Sequence, residues 1–406
     1  MMSTLFTTLN SLQQVFSRAF LIGAFIPTLY FLFVNGLILY LWSWPVHHWM
    51  EKHLFTEKEL AYQSFIVAVL FFVVWVHSYI VNALTPLWIR TLEGRNWPKF
   101  FQQAGVQYHA ARFRELSDRI NTAVEIYTRI DKYLPDWHKT VLDAKATAQG
   151  QITPQDGIPA AVALLEECSV LKREDQLVQF AQLKALVDTL VADIQSRGLT
   201  DELEAAIGDV TEMITYAKDR SQTEHSRLLT DRNMEFGDEE MMAPTKFGNI
   251  GLLAQAYVMR AYHCNLALIW GALQRVVKKD QASGDALQAC KSLLDFFVSS
   301  FWLSLVCSTG WAIAFACYGE ILGAMLSATL GPLLCWVLWY GAAVEQYRVF
   351  QNEIITLFSA FRFEVLSGLR SRTPINLAEE RVLWRAMEFG IGDGQNLNLS
   401  YQESKS

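Results

Sequence analysis

The chain has 406 residues, of which 52% are hydrophobic and only 18% charged, with a formal net charge of -7. Soluble domains carry about 25% charged residues, so part of this chain is not built to face water. The lack of a basic surplus argues against nucleic acid as a partner.

The charge deficit is confined to four blocks, Ala19–Trp44, Ala61–Ile89, Phe296–Gly319 and Ile321–Val344, which contain no Asp, Glu, Lys or Arg. A helix needs about 20 apolar residues to cross the hydrocarbon core. The blocks therefore predict an all-α membrane protein with two transmembrane helical hairpins, 19–89 and 296–344, flanking a cytoplasmic helical bundle at 90–295. A short cytoplasmic segment (1–18) precedes them. A cytoplasmic helical extension (345–390) and a disordered tail (391–406) follow. The first block is too long for the apolar part of a signal peptide and lacks a small-residue cleavage site. It runs instead into Trp42, Trp44 and Trp49, an aromatic belt of the kind found at membrane interfaces.

Basic residues set the expected orientation. Arg90, Arg95, Lys99, Arg112 and Arg114 follow the second block. Arg275, Lys278, Lys279 and Lys291 precede the third, and Arg348, Arg362, Arg370 and Arg372 follow the fourth. The first outer loop has only Lys52 and Lys58, and the second has no basic residue. The positive-inside rule then puts both termini and the central domain in the cytoplasm.

The first hairpin holds few polar groups: Asn35 late in the first block, then His77 and Asn82 in the second. Intramembrane polar groups are paired when buried, so His77 is expected to hydrogen-bond another helix. His47, His48, Glu51, His53 and Glu57 cluster in the following loop, but their spacing matches no metal-ligand pattern. From Arg90 to Asp295 the period is helical. Phe113, Leu116, Ile120, Val124, Tyr127 and Ile130 form one stripe, Leu183, Leu186, Leu190 and Ile194 a second, and Leu199, Leu203, Ile207, Val210 and Ile214 a third. Breaks fall at Gly150–Pro159, Arg197–Gly198 and Gly237–Pro244, which predicts four to six helices. The acidic run Glu235, Asp238, Glu239, Glu240 lacks the calcium-loop pattern and reads as a solvated linker.

The second hairpin carries small residues at every fourth position: Ser300, Ser304, Ser308, Ala312 and Ala316 in its first helix, Gly319, Gly323, Ser327 and Gly331 in its second. Small-xxx-small stripes let helices approach closely in lipid. Packing of the stripes on each other or on the first hairpin is one use. An inter-subunit seam, or a pore lined by the hydroxyls of an oligomer, is another. After the fourth block Tyr347, Phe350, Ile354, Leu357, Phe358, Phe361, Val365 and Leu369 keep the helical period. The fourth span should thus continue as one long helix that stops before Pro374, with a short helix near Glu379–Phe389 after it.

Two loop motifs stand out. Leu84–Trp97 reads L-T-P-L-W-I-R-T-L-E-G-R-N-W, and Pro244–Asn249 reads P-T-K-F-G-N ahead of a helix bearing Tyr257, Arg260, Tyr262 and Trp270. Glu93, Gly94 and Trp97, with Pro244, Thr245, Gly248 and Asn249, are turn chemistry at the membrane surface, and Asn249 is the expected N-cap of a helix from Ile250. This layout resembles a group of uncharacterised bacterial multi-pass membrane proteins. In them an E-G-x-x-W segment follows the first hairpin and a P-T-x-x-G-N segment precedes a tyrosine-rich helix. The match covers the two motifs and the general plan, and departs near Gln255, where an acidic residue is expected. The resemblance implies architecture and a bacterial inner (plasma) membrane, and no activity.

No nucleotide-binding loop, nucleophile elbow or H-E-x-x-H motif occurs, and the expectation is no catalytic, cofactor or metal site. The functional expectation is a non-enzymatic membrane scaffold or sensor. Its lipid-embedded spans anchor or homo-oligomerise, and its cytoplasmic domain binds a protein partner. A channel gated by that domain, and an enzyme with an unrecognised site, are the alternatives.

Overall fold

In the computed structural model the described residues are 17–52, 60–148, 179–198, 200–369, 371 and 373–392, and among them the chain is helical with no strand. In chain order the helices are α1 (Arg18–Trp42), α2 (Trp44–Met50), α3 (Leu60–Leu92), α4 (Lys99–Ala148), α5 (Phe180–Arg197), α6 (Asp201–Glu235), α7 (Lys246–Gly251), α8 (Leu253–Tyr262), α9 (Leu266–Val277), α10 (Gln281–Cys317), α11 (Ile321–Gly368) and α12 (Leu377–Gly392). Helices α1, α3, α10 and α11 are long and apolar enough to cross a membrane. Two compact units result, Met1–Ala110 with Met234–Ser406, and Ala111–Asn233. The stretch 90–295, read from sequence as one domain, contributes residues to both. The expected break at Gly150–Pro159 and the tail from 393 lie outside the described residues.

In the first unit the four long helices form one bundle, and α10 is its hub, packing on α1, α3 and α11. Each contact carries a polar tie. Asn35 Oδ1 accepts from Trp311 Nε1 at 2.9 Å, Thr85 Oγ1 and Ser299 Oγ meet at 3.2 Å, and the Ser308 hydroxyl donates to the Ser327 carbonyl. Close approach has a local cause as well. A Cβ on Gly23 would lie 3.0 Å from Asp295 Cβ, so glycine there lets α1 meet α10 near its entry. Trp42 meets Trp311, Phe315 and Tyr318 edge-to-face at the far end, with ring centroids 4.9–5.8 Å apart.

Helix α10 starts on an N-cap, the Asp280 carboxylate accepting from Ser283 N–H at 3.3 Å. It ends in a left-handed glycine, Gly319 at φ 78°. Glu320 N–H reaches the Phe315 carbonyl at 2.9 Å and Gly319 N–H the Ala316 carbonyl at 3.2 Å, the paired bonds of a Schellman stop. The chain then enters α11, which runs on for 48 residues as the one long helix expected, interrupted by a π turn at Cys335–Tyr340. That turn follows Pro332, whose missing N–H breaks the regular ladder.

Beyond the spans, the second half of α11 buries Ile354, Leu357, Phe358 and Val365 against α8, α9 and α12. Trp384 of α12 is fully buried there. Its indole donates to Glu380 at 3.3 Å, and Arg362 donates to the same carboxylate at 3.0 Å. Cys264, between α8 and α9, is buried, and burial pushes its thiol up to about 12. The five described cysteines are free. Among the described residues six helices, α4 to α9, lie between Arg90 and Asp295, and α10 begins there. His263, in the left-handed region at φ 54°, and the Asn265 N-cap separate α8 from α9.

The second unit is a helical bundle with α4, α5 and α6 around one core. Ile126, Ile130, Trp137, Leu183, Leu186, Leu190, Ile194, Leu203, Val210 and Ile214 are buried in it. On α4 the stripe holds at Ile120 and Ile130 and departs at Val124, which is exposed, while Ala123 and Ile126 are buried. Glu224 of α6 joins Arg119 of α4 at 3.2 Å and Arg227 at 2.8 Å. Its bond to the Arg227 guanidinium holds the Glu224 carboxyl below the usual glutamate range. Arg232 lies over the Phe113 ring at 5.6 Å, so the chain enters and leaves this unit at neighbouring points.

The polar ties of α10 should carry stability. Asn35→Leu keeps the volume but strands the Trp311 indole. It should destabilise the detergent-solubilised protein by about 1 kcal/mol, the scale of hydrogen bonds between membrane helices. An unchanged unfolding midpoint would remove this bond from the account.

Candidate functional site

The two loop motifs, about 150 residues apart in sequence, meet where α3 ends. Leu92 closes that helix, and the chain turns through Glu93 and Gly94, with Gly94 at φ 79°. Thr245 then docks on the turn. Its hydroxyl donates to the Leu92 carbonyl at 2.6 Å and accepts from Gly248 N–H at 2.9 Å, which makes Thr245 the N-cap of α7. This corrects the assignment of the cap to Asn249. The helix begins earlier, at Lys246, because the threonine oxygen reaches the third amide of its first turn. Asn249 sits inside α7, and its Oδ1 accepts from Ala243 N–H at 2.7 Å, pinning the loop before the cap.

Glycine permits the contact. A Cβ on Gly248 would lie 2.5 Å from the Glu93 carbonyl oxygen, and one on Gly94 would lie 2.4 Å from Pro244 Cγ. Both are below any ordinary contact distance, so the backbones of the two motifs touch only because these side chains are absent. Trp97 is not part of the contact. Its ring is 37% exposed, and its backbone carbonyl accepts from Gln102 at 2.8 Å.

Beneath the loops Glu93 is 4% exposed. One carboxylate oxygen accepts from the Tyr347 hydroxyl at 2.6 Å and the other from Arg95 Nε at 2.7 Å. Tyr347 lies under Phe247, with ring centroids 4.5 Å apart. Gln351, one turn further along α11, accepts from Ala254 N–H at 3.3 Å. The arrangement clamps the end of α3, the start of α7 and the middle of α11 together. Both carboxylate oxygens are engaged, so the geometry holds the chain and offers no free acid or base. Sequence reading placed Tyr347 in an apolar stripe and did not single out Gln351. The one available signal was a carboxylate, Glu93, next to a membrane boundary and in need of a donor.

The remaining candidates are dispersed. Ser308, Ser327 and Gly331 come together, and a Cβ on Gly331 would overlap the Ser308 hydroxyl, while Gly323 faces the Phe315 ring. Ser304, Ser308, Ser327 and Gly331 line a cleft of about 420 Å³ with Tyr30 and Trp311. Ser300 is buried, Ala312 half-buried, and Ala316 and Gly319 exposed. His77 departs from expectation. It is exposed, and its Nδ1 lies 2.8 Å from the carbonyl of Val73 on its own helix. One ring nitrogen is thus bonded within its own helix and not to another. Asn82 is exposed, whereas Asn35 is tied to α10. His47 lies 3.6 Å from Glu51, and His53 and Glu57 fall outside the described residues. Among the described residues no group of three His, Cys, Asp or Glu side chains is placed to hold a metal.

Fold and site together define a four-span helical bundle clamped at one end by its own loops. The chain matches no protein-family model, no curated protein and no solved structure. The resemblance to multi-pass bacterial proteins therefore rests on the two motifs, and what the structure supplies toward it is four helices able to cross a membrane.

Gly94→Ala should destabilise the protein by about 1–3 kcal/mol, the cost of a strained left-handed residue, increased by its collision with Pro244. Trp97→Ala, on the exposed side of the same turn, should change stability by about 0.5 kcal/mol or less. Equal effects in thermal unfolding would show that the loop contact contributes nothing.

Proposed function

We propose that this chain is a non-enzymatic membrane scaffold or sensor. The four spans anchor it, and the helical unit Ala111–Asn233 carries the surface for a protein partner. The observation that carries the reading is that the hydroxyls and the carboxylate joining the membrane helices are used within the chain. Ser308 is spent on the Ser327 carbonyl, Thr85 on Ser299, and Glu93 on Tyr347 and Arg95. A pore lined by the small-residue stripe would need those hydroxyls facing water. Ala111–Asn233 is a compact unit with its own core.

The proposed orientation follows the basic residues, with both termini and the unit Ala111–Asn233 in the cytoplasm of a bacterial cell. In a cysteine-free background, a cysteine at Glu320 should react with an impermeant maleimide from outside intact cells, and one at Glu202 only after lysis. The reverse pattern would invert the topology.

Reconstituted in liposomes, the protein should hold an entrapped dye and an imposed potassium gradient. Leakage that is abolished by Ser304→Leu and Ser308→Leu would replace the scaffold reading with a channel.

A further inference from the structure

A polar cavity of about 450 Å³ lies at the end of α3, beside the clamp, lined by Asn82, Thr85, Pro86, Ile89, Arg90, Glu93, Arg95, Lys291 and Asp295. Its position is set by the spans, because Arg90 closes the apolar run of α3 and Asp295 precedes that of α10. It is therefore at the level of lipid headgroups.

Its chemistry has two halves. Arg90, Arg95 and Lys291 bring three cations to its lining. Arg95 is bonded to Glu93 through Nε at 2.7 Å, which leaves its Nη donors, and the Arg90 side chain has no partner among the described residues. These donors call for an anion with several acceptor oxygens. The other half lacks donors. Asp295 Oδ2 is paired with Lys291 at 2.5 Å, but its Oδ1 is buried with no hydrogen-bond partner among the described residues. Pro86 has no N–H, so the Asn82 carbonyl, four residues earlier on the same helix, loses the donor a regular helix would give it. A buried carboxylate oxygen without a donor is costly, and a ligand N–H would remove the cost.

A group that is anionic at one end and an N–H donor at the other, held at a bilayer boundary, is the headgroup of an aminophospholipid. We propose that this cavity binds phosphoethanolamine headgroups. The phosphate sits on Arg90 and Arg95, and the ammonium sits on Asp295 Oδ1 and the Asn82 carbonyl. Phe72, Tyr79 and Pro86 recur every seven residues on α3, and Phe72 and Tyr79 are exposed. They give the acyl chains an apolar track that leads from the cavity into the bilayer. A choline headgroup carries the same phosphate but no N–H, so it satisfies only one half. The site does not depend on the scaffold reading, and it would exist equally in a channel.

The full chain, delipidated in detergent, is to be offered phosphatidylethanolamine, phosphatidylcholine and phosphatidylglycerol separately, and bound lipid counted by native mass spectrometry. Phosphatidylethanolamine should be retained about tenfold better than phosphatidylcholine, the worth of one charge-assisted hydrogen bond. Soluble glycerophosphoethanolamine in excess should displace it. Arg90→Ala, at an exposed position that leaves the fold intact, should cut retention about tenfold. Asp295→Asn, if it folds, should abolish the preference over phosphatidylcholine. Equal retention of the two zwitterionic lipids, preference for phosphatidylglycerol, failure of the soluble headgroup to compete, or full retention by Arg90→Ala would each overturn the proposal.

Discussion

Polar groups inside a bilayer have no water to turn to, and each must find its partner within the chain. This constraint explains why α10 is the hub of the membrane unit. Serines at 299 and 308 and the Trp311 indole are distributed along it so that each faces a different neighbour: Thr85 of α3, the Ser327 carbonyl of α11 and Asn35 of α1. Dispersion alone would hold apolar helices together, but lipid tails compete equally well for such contacts. The three polar ties have no equivalent partner in lipid, so they select one arrangement of the four helices.

The same logic applies at the boundary, where water is close but the protein keeps it out. Glu93 is buried beside a membrane surface, and an unpaired carboxylate there would be expensive. Tyr347 and Arg95 meet it from opposite sides, and Thr245 closes the roof. The clamp therefore depends on α11 being a single helix. Only a continuous rod from Ile321 to Gly368 carries Tyr347 out of the membrane at the height of the α3 turn. Downstream, the same rod presents Phe358 and Val365 to α8, α9 and α12. One long helix thus serves the bilayer, the clamp and the core beyond it.

How much of this was legible depends on the length scale of each signal. Charge-free blocks and the stripe from Tyr347 to Leu369 are local patterns, and they gave four spans and a long last helix. The Leu183–Ile194 stripe was readable for the same reason. On α4 the stripe held at Ile120 and Ile130 but not at Val124, because the buried face runs through Ala123 and Ile126, and a small alanine is a weak signal of an inward position. The Asn249 cap was misplaced because Thr245 and Asn249 are both good cap residues, and the choice falls to the one that reaches Leu92. His77 was read as needing a second helix, although it bonds within its own. The pairing of Glu93 with Tyr347 spans 254 residues, and no periodicity in a single sequence reports a contact of that range.

The two loop motifs show why short sequence features mislead about function. A Gly-containing turn and a Thr–Gly cap, each followed by aromatic residues, could build a ligand loop. Here the glycines are taken up by the touching backbones, and the threonine hydroxyl has both a donor and an acceptor. A group with its bonds complete has little left to offer a ligand. The informative atoms are those that the fold leaves incomplete: the Asp295 oxygen without a donor, the Asn82 carbonyl ahead of Pro86, and the unpaired Arg90. They line one cavity beside the clamp. Where several such incomplete groups line one cavity, a ligand has something to complete.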